Sequence, residues 1–507
     1  MGEREAADRY SSGPIAPADP PLDLGNQIPV SQDPKNYSSP LSSRYASQAM
    51  RENFSPHKKF STWRKLWIAL AECEQKLGLD IQDSQLDELR AHVEDVDFEA
   101  AGAYERELRH DVMAHIHAWG DQCPKARGIV HLGATSCFVT DNAELIVMRD
   151  GLRLIRGQLV NVARNLRQLA HQWRELPVLG LTHYQPAQAT TLGKRFALYL
   201  QDVLFNLEDL EHAEKAIRFR GVKGTTGSQA SFLELFNGDQ DKVRQLDERV
   251  TERMGFEQRF AVTGQTYPRQ LDYRVLQVLS CIAQSASKFA TDLRLAAGKR
   301  EIEEPFEEKQ IGSSAMPWKR NPMRSERICA LSRHVMIGVS NAAHTAANQW
   351  FERTLDDSAN RRITVAEAFL ATDAILQLFM NVTAGTVVHE AVITRNLSEE
   401  LPFLASEHLM MAAVKAGADR QDAHERIRVL ARDASAALFR GKPNPLRSLL
   451  EQDELFSSVA GKLDELLDPK RFVGRAPQQV NEFLQDEVDP ILARYASVGS
   501  DGGDIRV

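Results

Sequence analysis

The sequence predicts an all-α protein of three helical domains, the central one a bundle of long helices. Two observations predict it. The first is periodicity: apolar residues recur at spacings of three and four over long stretches. Leu145, Met148, Leu152, Ile155, Leu159, Val162, Leu166 and Leu169 form one series, and Val275, Leu279, Ile282, Ala286, Phe289, Leu293 and Ala296 a second. Leu192, Phe196, Tyr199, Val203, Leu207 and Leu210 form a third, and Met336, Val339, Ala343, Ala346 and Trp350 a fourth. Residues so spaced share one face of a helix, so each series is an apolar stripe. A weaker fifth helix is expected from Ile363 to about Val388. The second observation is length. Stripes sustained over several heptads imply helices packed at shallow angles. A helix of roughly 30 residues is about 45 Å long. That is too long for one small domain to cover, so these helices are expected to pack subunit against subunit, with a self-contained monomeric bundle as the alternative.

Taken in order, residues 1–38 are rich in Pro, Ser, Asp and Gly without periodicity and read as a disordered extension. Residues 39–135 read as an N-terminal helical domain, 136–388 as the central bundle and 389–507 as a C-terminal helical domain. The tail from Ser497 resembles the first extension in composition.

Composition narrows the function classes. The chain has 507 residues, a net charge of -8, 43% hydrophobic and 26% charged residues. The acidic balance argues against nucleic acid as a main partner. No apolar run approaches the ~20 residues that span a bilayer, and the acidic start Met1-Gly2-Glu3-Arg4-Glu5 lacks a signal-peptide core. Cys73, Cys123, Cys137, Cys281 and Cys329 contain no CxxC pair, which favours free thiols and a cytoplasmic location.

The chemistry concentrates in Gly312-Ser313-Ser314-Ala315-Met316-Pro317-Trp318-Lys319-Arg320-Asn321-Pro322-Met323-Arg324-Ser325-Glu326. Asn321-Pro322 reads as an N-cap followed by proline at the first helical position. Helix starts attract anions, and Lys319 adds a full charge there. The preceding segment, Glu301 to Glu308, is dense in glutamate and broken by Pro305, and reads as a mobile surface loop. A serine beside an anion-stabilising pocket suits proton abstraction next to a carboxylate, because the charge develops on the carboxylate oxygens.

Other segments supply further candidates. Thr182 and His183 lie between two long helices, with Pro177 ending one and Pro186 beginning or preceding the next, and histidine suits proton exchange near neutral pH. Arg109-His110-Asp111 opens a stretch that also holds His115 and His117; no Cys or acidic partner completes a zinc set, so no metal is expected. Thr135 and Ser136 stand before the first long helix, where hydroxyls and N–H groups bind anions together. Arg44 suits bidentate binding of an oxyanion, and Tyr45 beside it a base or a hydroxyl. Residues Phe351 to Arg362 read as a loop between the fourth and fifth helices, either salt-bridged or a phosphate clamp of Arg353, Ser358 and Arg362. The glycine-rich run Gly221 to Ser231 lacks the GK[ST] ending of a P-loop, so no nucleoside triphosphate or dinucleotide cofactor is implied.

The Gly312–Pro322 string resembles the GSSxMPxKxNP motif of the fumarase/aspartase superfamily, and its SSAMPxKRNP form resembles the adenylosuccinate lyase family, with Trp318 where many members carry tyrosine. The segments around Arg44, Arg109, Thr135, His183, Gly221, Gln265 and Arg353 match that family's motifs in order. The resemblance implies a homotetramer with a central helical bundle, active sites shared between subunits and no cofactor. It implies Ser313 as the base, Lys319 as carboxylate stabiliser and His183 as the acid, tuned by Glu326 or His110. It implies substrate contacts from Arg44, Tyr45, Arg109, Asp111, Thr135, Ser136, Thr182, Gln265, Arg327, Arg353, Ser358 and Arg362. The expected reaction is anti elimination of fumarate from N6-succinyl-AMP and from SAICAR. A related lyase acting on argininosuccinate, aspartate or malate, and a catalytically silent scaffold, stay open at this point.

Overall fold

The computed structural model describes residues 35–499. Most of the expected N-terminal extension, and the tail beyond residue 499, lie outside the described residues. The elements that position the candidate site are α1 (Pro56–Lys76), α2 (Asp111–Gln122), α3 (Ser136–Gln172), β1 (Pro177–Thr182), β2 (Gln185–Thr191), α4 (Leu192–Ala216), α5 (Gln270–Gly298), β3 (Ile302–Glu303), α6 (Met323–Ala347), α7 (Asp356–Ala384) and β4 (Val387–Val388). The all-α class holds: among the described residues the strands make two small antiparallel pairs, β1 with β2 and β3 with β4.

Helices α3 to α7 form the bundle. Helix α3 packs on α4 and α7, while α5 lies against α4, α6 and α7. Three of the apolar stripes face inward as the periodicity requires. Leu145, Leu152, Ile155 and Leu166 of α3, Val203 and Leu207 of α4, and Val275, Leu279 and Ala286 of α5 are buried in one continuous core. The fourth stripe is a correction. Met336, Val339 and Ala346 are only half-buried, Ala343 is exposed, and Trp350 lies beyond the end of α6. The core face of α6 is instead Ile328, Cys329, Val335 and Ala342. Met336 and Val339 pack against that core while only partly buried, and Ala343 and Ile337 are exposed.

The fifth helix begins earlier than expected. Residues from Asp356 to Arg362 form the first turns of α7, not a loop. Asp356 and Asp357 place acidic side chains at that positive helix end. An 18-residue window of α7 is apolar enough to cross a membrane, with mean hydropathy 1.5, but 72% of it is buried inside the protein, as suits a central core helix. Around the bundle, Trp63 and Trp67 of α1 and Trp119 of α2 pack as an aromatic cluster. Leu401, Leu409, Ile427, Leu450 and Phe456 build a second, separate core in the C-terminal helices. All five cysteines are free.

Candidate active site

The starts of α3, α5 and α7 converge at one end of the bundle. Arg269, just before α5, donates from Nη2 and Nη1 to the two carboxylate oxygens of Asp141 at 3.1 Å each, and from Nε to Asp357 Oδ2 at 2.6 Å. Arg361 of α7 pairs with Asp272 Oδ2 and Glu144 Oε2 at 2.6 Å each. Asp141, Arg269, Asp272, Asp357 and Arg361 are each at most 8% exposed. Charges withdrawn from water this far persist only when paired, and these are. Arg269 and Arg361 lower the pKa of Asp141 against the opposing push of burial.

Nine of the candidates surround this network. His110 is the N-cap of α2; its Nδ1 accepts from Met113 N–H at 3.3 Å, which leaves the proton on Nε2, 3.5 Å from Ser136 Oγ. Asp111 accepts from Arg362 at 3.2 Å. Gln265 donates to Thr135 Oγ1 at 3.3 Å. Arg353 Nη1 contacts the Cys137 thiol, and Nη2 stands 4.0 Å from Asp357 Oδ1. Arg109 precedes His110 in a left-handed conformation, and Ser358 lies one turn before Arg362. The glycine-rich run supports this end from beneath. Ser231 donates to the carbonyl of Gly133 at 2.7 Å, and a Cβ on Gly227 would sit 1.8 Å from the Thr263 carbonyl oxygen, so only glycine fits.

The remaining candidates lie toward the other end. The segment 177–191 is a β-hairpin: Pro177 opens a strand instead of ending a helix, and Pro186, paired with Leu181 in a strand, precedes α4 but does not begin it. His183 and Tyr184 form its two-residue turn, with φ of 55° and 59°. Such turns ordinarily carry Asn or Gly, because a Cβ is strained at positive φ. Strain held at an exposed tip is a mark of function. Thr182 is exposed beside it, and Lys299 sits over the Tyr184 ring at 5.4 Å.

The signature loop returns two corrections. Asn321 does not cap α6; its side chain donates to the Gly312 carbonyl at 2.9 Å, closing the loop at its base. A Cβ on Gly312 would meet the Lys319 carbonyl oxygen at 2.2 Å, so the closure needs glycine. The cap of α6 is Glu304, whose carboxylate accepts from Arg324 N–H, Ser325 N–H and Ser325 Oγ, each at 3.0 Å. The helix start expected to attract a substrate anion thus holds the protein's own carboxylate. Burial raises the Glu304 pKa although those N–H groups oppose it. The glutamate-rich segment is anchored, not mobile, over its first half: Glu301 and Glu304 are buried, and β3 pairs with β4. Within the loop, Ser313 Oγ accepts from Met316 N–H at 3.1 Å, and Lys319 and Trp318 stand in solvent. Exposed Glu326 and half-buried Arg327 follow on the first turns of α6, with Arg327 over the Tyr45 ring at 5.2 Å; Arg44 is exposed beside it.

Sequence reasoning missed three groups. His131 accepts from the Trp67 indole at 2.9 Å, and burial, with repulsion from His110, lowers its pKa to about 4. Its place four residues before Thr135 was the available signal. Lys59 lies near Arg362 and Asp111; burial first, then Arg362, lowers its pKa. Glu304 looked like one acidic residue among several. Among the described residues no cluster of His, Cys, Asp and Glu could hold a metal ion.

A family model described as Lyase matches residues 61–337, and one described as Adenylosuccinate lyase C-terminus matches residues 402–483. The chain is 53% identical to adenylosuccinate lyase of Saccharomyces cerevisiae, over 91% of this chain and 97% of that one. It is 49% identical to adenylosuccinate lyase of Schizosaccharomyces pombe, over 92% and 98%. Among solved structures, 3-carboxy-cis,cis-muconate lactonizing enzyme of Pseudomonas putida superposes with a TM-score of 0.77 at 23% identity, covering 89% of this chain and 99% of that one. Fumarate lyase of Mesorhizobium sp. BNC1 does so with 0.74 at 22%, covering 88% and 99%. These two speak for the fold alone. Fold, ordered motifs and full-length relatives agree, and the chain belongs to the adenylosuccinate lyase family.

Proposed function

We propose that this protein cleaves N6-succinyl-AMP to AMP and fumarate, and SAICAR to AICAR and fumarate, as a carbon–nitrogen lyase of purine nucleotide biosynthesis in the cytoplasm. Ser313 removes the proton from the succinyl carbon. The Met316 N–H already aimed at Ser313 Oγ favours the oxyanion that a serine base requires. Lys319 stabilises the charge that develops on the adjacent carboxylate. His183 protonates the departing nitrogen from the opposite face, tuned by Glu326 or His110. Thr135, Ser136, Thr182 and Gln265 hold the succinyl part. Arg353, Ser358 and Arg362 clamp the phosphate, with Arg44, Tyr45, Arg109, Asp111 and Arg327 around the nucleotide.

The observation that carries this reading is the grouping of cationic and hydroxyl side chains where α3 and α7 begin, marked by the Asp111–Arg362, His110–Ser136 and Gln265–Thr135 contacts. The same geometry supports a homotetramer with shared sites. Ser136 opens a helix of 37 residues and His183 lies beyond its far end. Such a helix is about 55 Å long, far beyond one substrate. A site holding both residues therefore takes them from different subunits, and the outward apolar residues of α4 and α6, Leu198, Phe205 and Ile337, are the surfaces such packing would cover. Incubation with N6-succinyl-AMP, without added metal, should release AMP and fumarate in equal amounts. A folded protein releasing neither, but cleaving argininosuccinate, would overturn the assignment.

A further inference from the structure

Asp357 carries an unpaired oxygen deep in the protein. It is 1% exposed; Oδ2 accepts from Arg269, while Oδ1 has no hydrogen-bond partner among the described residues. A buried carboxylate oxygen left unsatisfied is costly. Arg353 Nη2 stands 4.0 Å from this oxygen, about 1 Å beyond a charge-assisted hydrogen bond, while Arg269 and Arg361 face Oδ2. Arg353 is held off by its other terminal nitrogen, because Nη1 rests on the Cys137 thiol. A thiol is a weak acceptor, so this contact is readily exchanged.

We propose that Asp357 is a positioning residue for Arg353: on binding of a phosphate-bearing ligand the guanidinium leaves Cys137, pairs through Nη2 with Asp357 Oδ1, and frees Nη1 to bind a phosphate oxygen. The inference rests on the reading of Arg353, Ser358 and Arg362 as a phosphate clamp. The exchange satisfies the orphan oxygen and fixes a planar donor that otherwise rests on a sulfur. Burial holds the Cys137 pKa up at about 11, so the group surrendered is a neutral thiol and no charge is left behind.

The test compares inhibition by AMP with inhibition by adenosine, since the ratio of the two constants isolates the phosphate contribution. In the unaltered protein AMP binds more tightly, and Arg353→Ala removes much of that advantage. Asp357→Asn is expected to reduce the advantage about tenfold, leave the adenosine constant unchanged, and add nothing in the Arg353→Ala background. An advantage untouched by Asp357→Asn but removed by Arg353→Ala overturns the positioning role. A ratio indifferent to Arg353→Ala overturns the clamp itself. Should Asp357→Asn fail to fold, Cys137→Ala and Cys137→Ser decide. Loss of the resting contact widens the AMP advantage and a stronger acceptor narrows it; equal ratios in the two variants overturn the proposal.

Discussion

Where α3, α5 and α7 begin, Asp141, Arg269, Asp357 and Arg361 are locked together out of water, and most of the binding candidates, with His110, gather around that frame. At the other end Thr182, His183, Lys319 and Trp318 stand exposed, and the signature loop is held at its base, by Asn321 to Gly312, by Glu304 to α6 and by Arg320 to Glu303. The difference separates two tasks. A binding end gains from being built before substrate arrives, because prealigned donors need no reorganisation. On the proposed assignment a serine base and a histidine acid need a water-free site only during turnover, and the proposed partner subunits would complete their end.

Four experiments test this contrast. At the loop end, Ser313→Ala should cut kcat by about 10³-fold and leave the thermal midpoint unchanged; near-full turnover would remove Ser313 from the base role. At the framed end, Arg361→Met should act on stability instead. It strands Asp272 without its cation, and urea unfolding should show a loss of about 4 kcal/mol; a loss under 1 kcal/mol would mean the frame is not what holds that end.

Acid should strike the framed end next. His131 and the buried His115, stacked on Phe60, both have native pKa values lowered to about 4, chiefly by burial. Unfolded, each titrates near 6.5. Between those values the unfolded chain binds protons that the native state refuses, so stability falls as pH drops from about 6.5 to about 4, by up to roughly 3 kcal/mol for each histidine. His131→Asn should flatten that slope; an unchanged slope would mean His131 is not the group responsible. The smallest effect expected is at the loop base. Glu304→Ala leaves two N–H groups and the Ser325 hydroxyl without their acceptor and should cost about 2 kcal/mol. Calorimetry showing no change would mean water replaces the cap.

Much of this was legible in the chain. Three stripes gave helices and buried faces correctly because burial and periodicity coincide there. The α6 stripe misled because apolar residues also line its outward face, and periodicity does not say which apolar face meets the subunit's own core. The hairpin at His183 was missed because Pro177 and Pro186 also suit helix ends, and no Asn-Gly marks the turn. The charge frame was out of reach for a different reason. Arg269 meets Asp141 across 128 residues and Asp357 across 88, and no local pattern reports a pairing of that span. Asn321-Pro322 read as a cap by local rule, and Glu304 took the position from outside the helix, a tertiary contact overriding a local one.

The central claim is that the two ends serve one site only when they come from different subunits. The direct measurement is complementation between His110→Ala, at the framed end, and His183→Ala, at the hairpin tip. Each variant alone should be nearly inactive, and subunits mixed, dissociated and reassembled should regain turnover, because some sites then receive both intact histidines. No recovery from mixed oligomers that have demonstrably exchanged subunits would contradict the account.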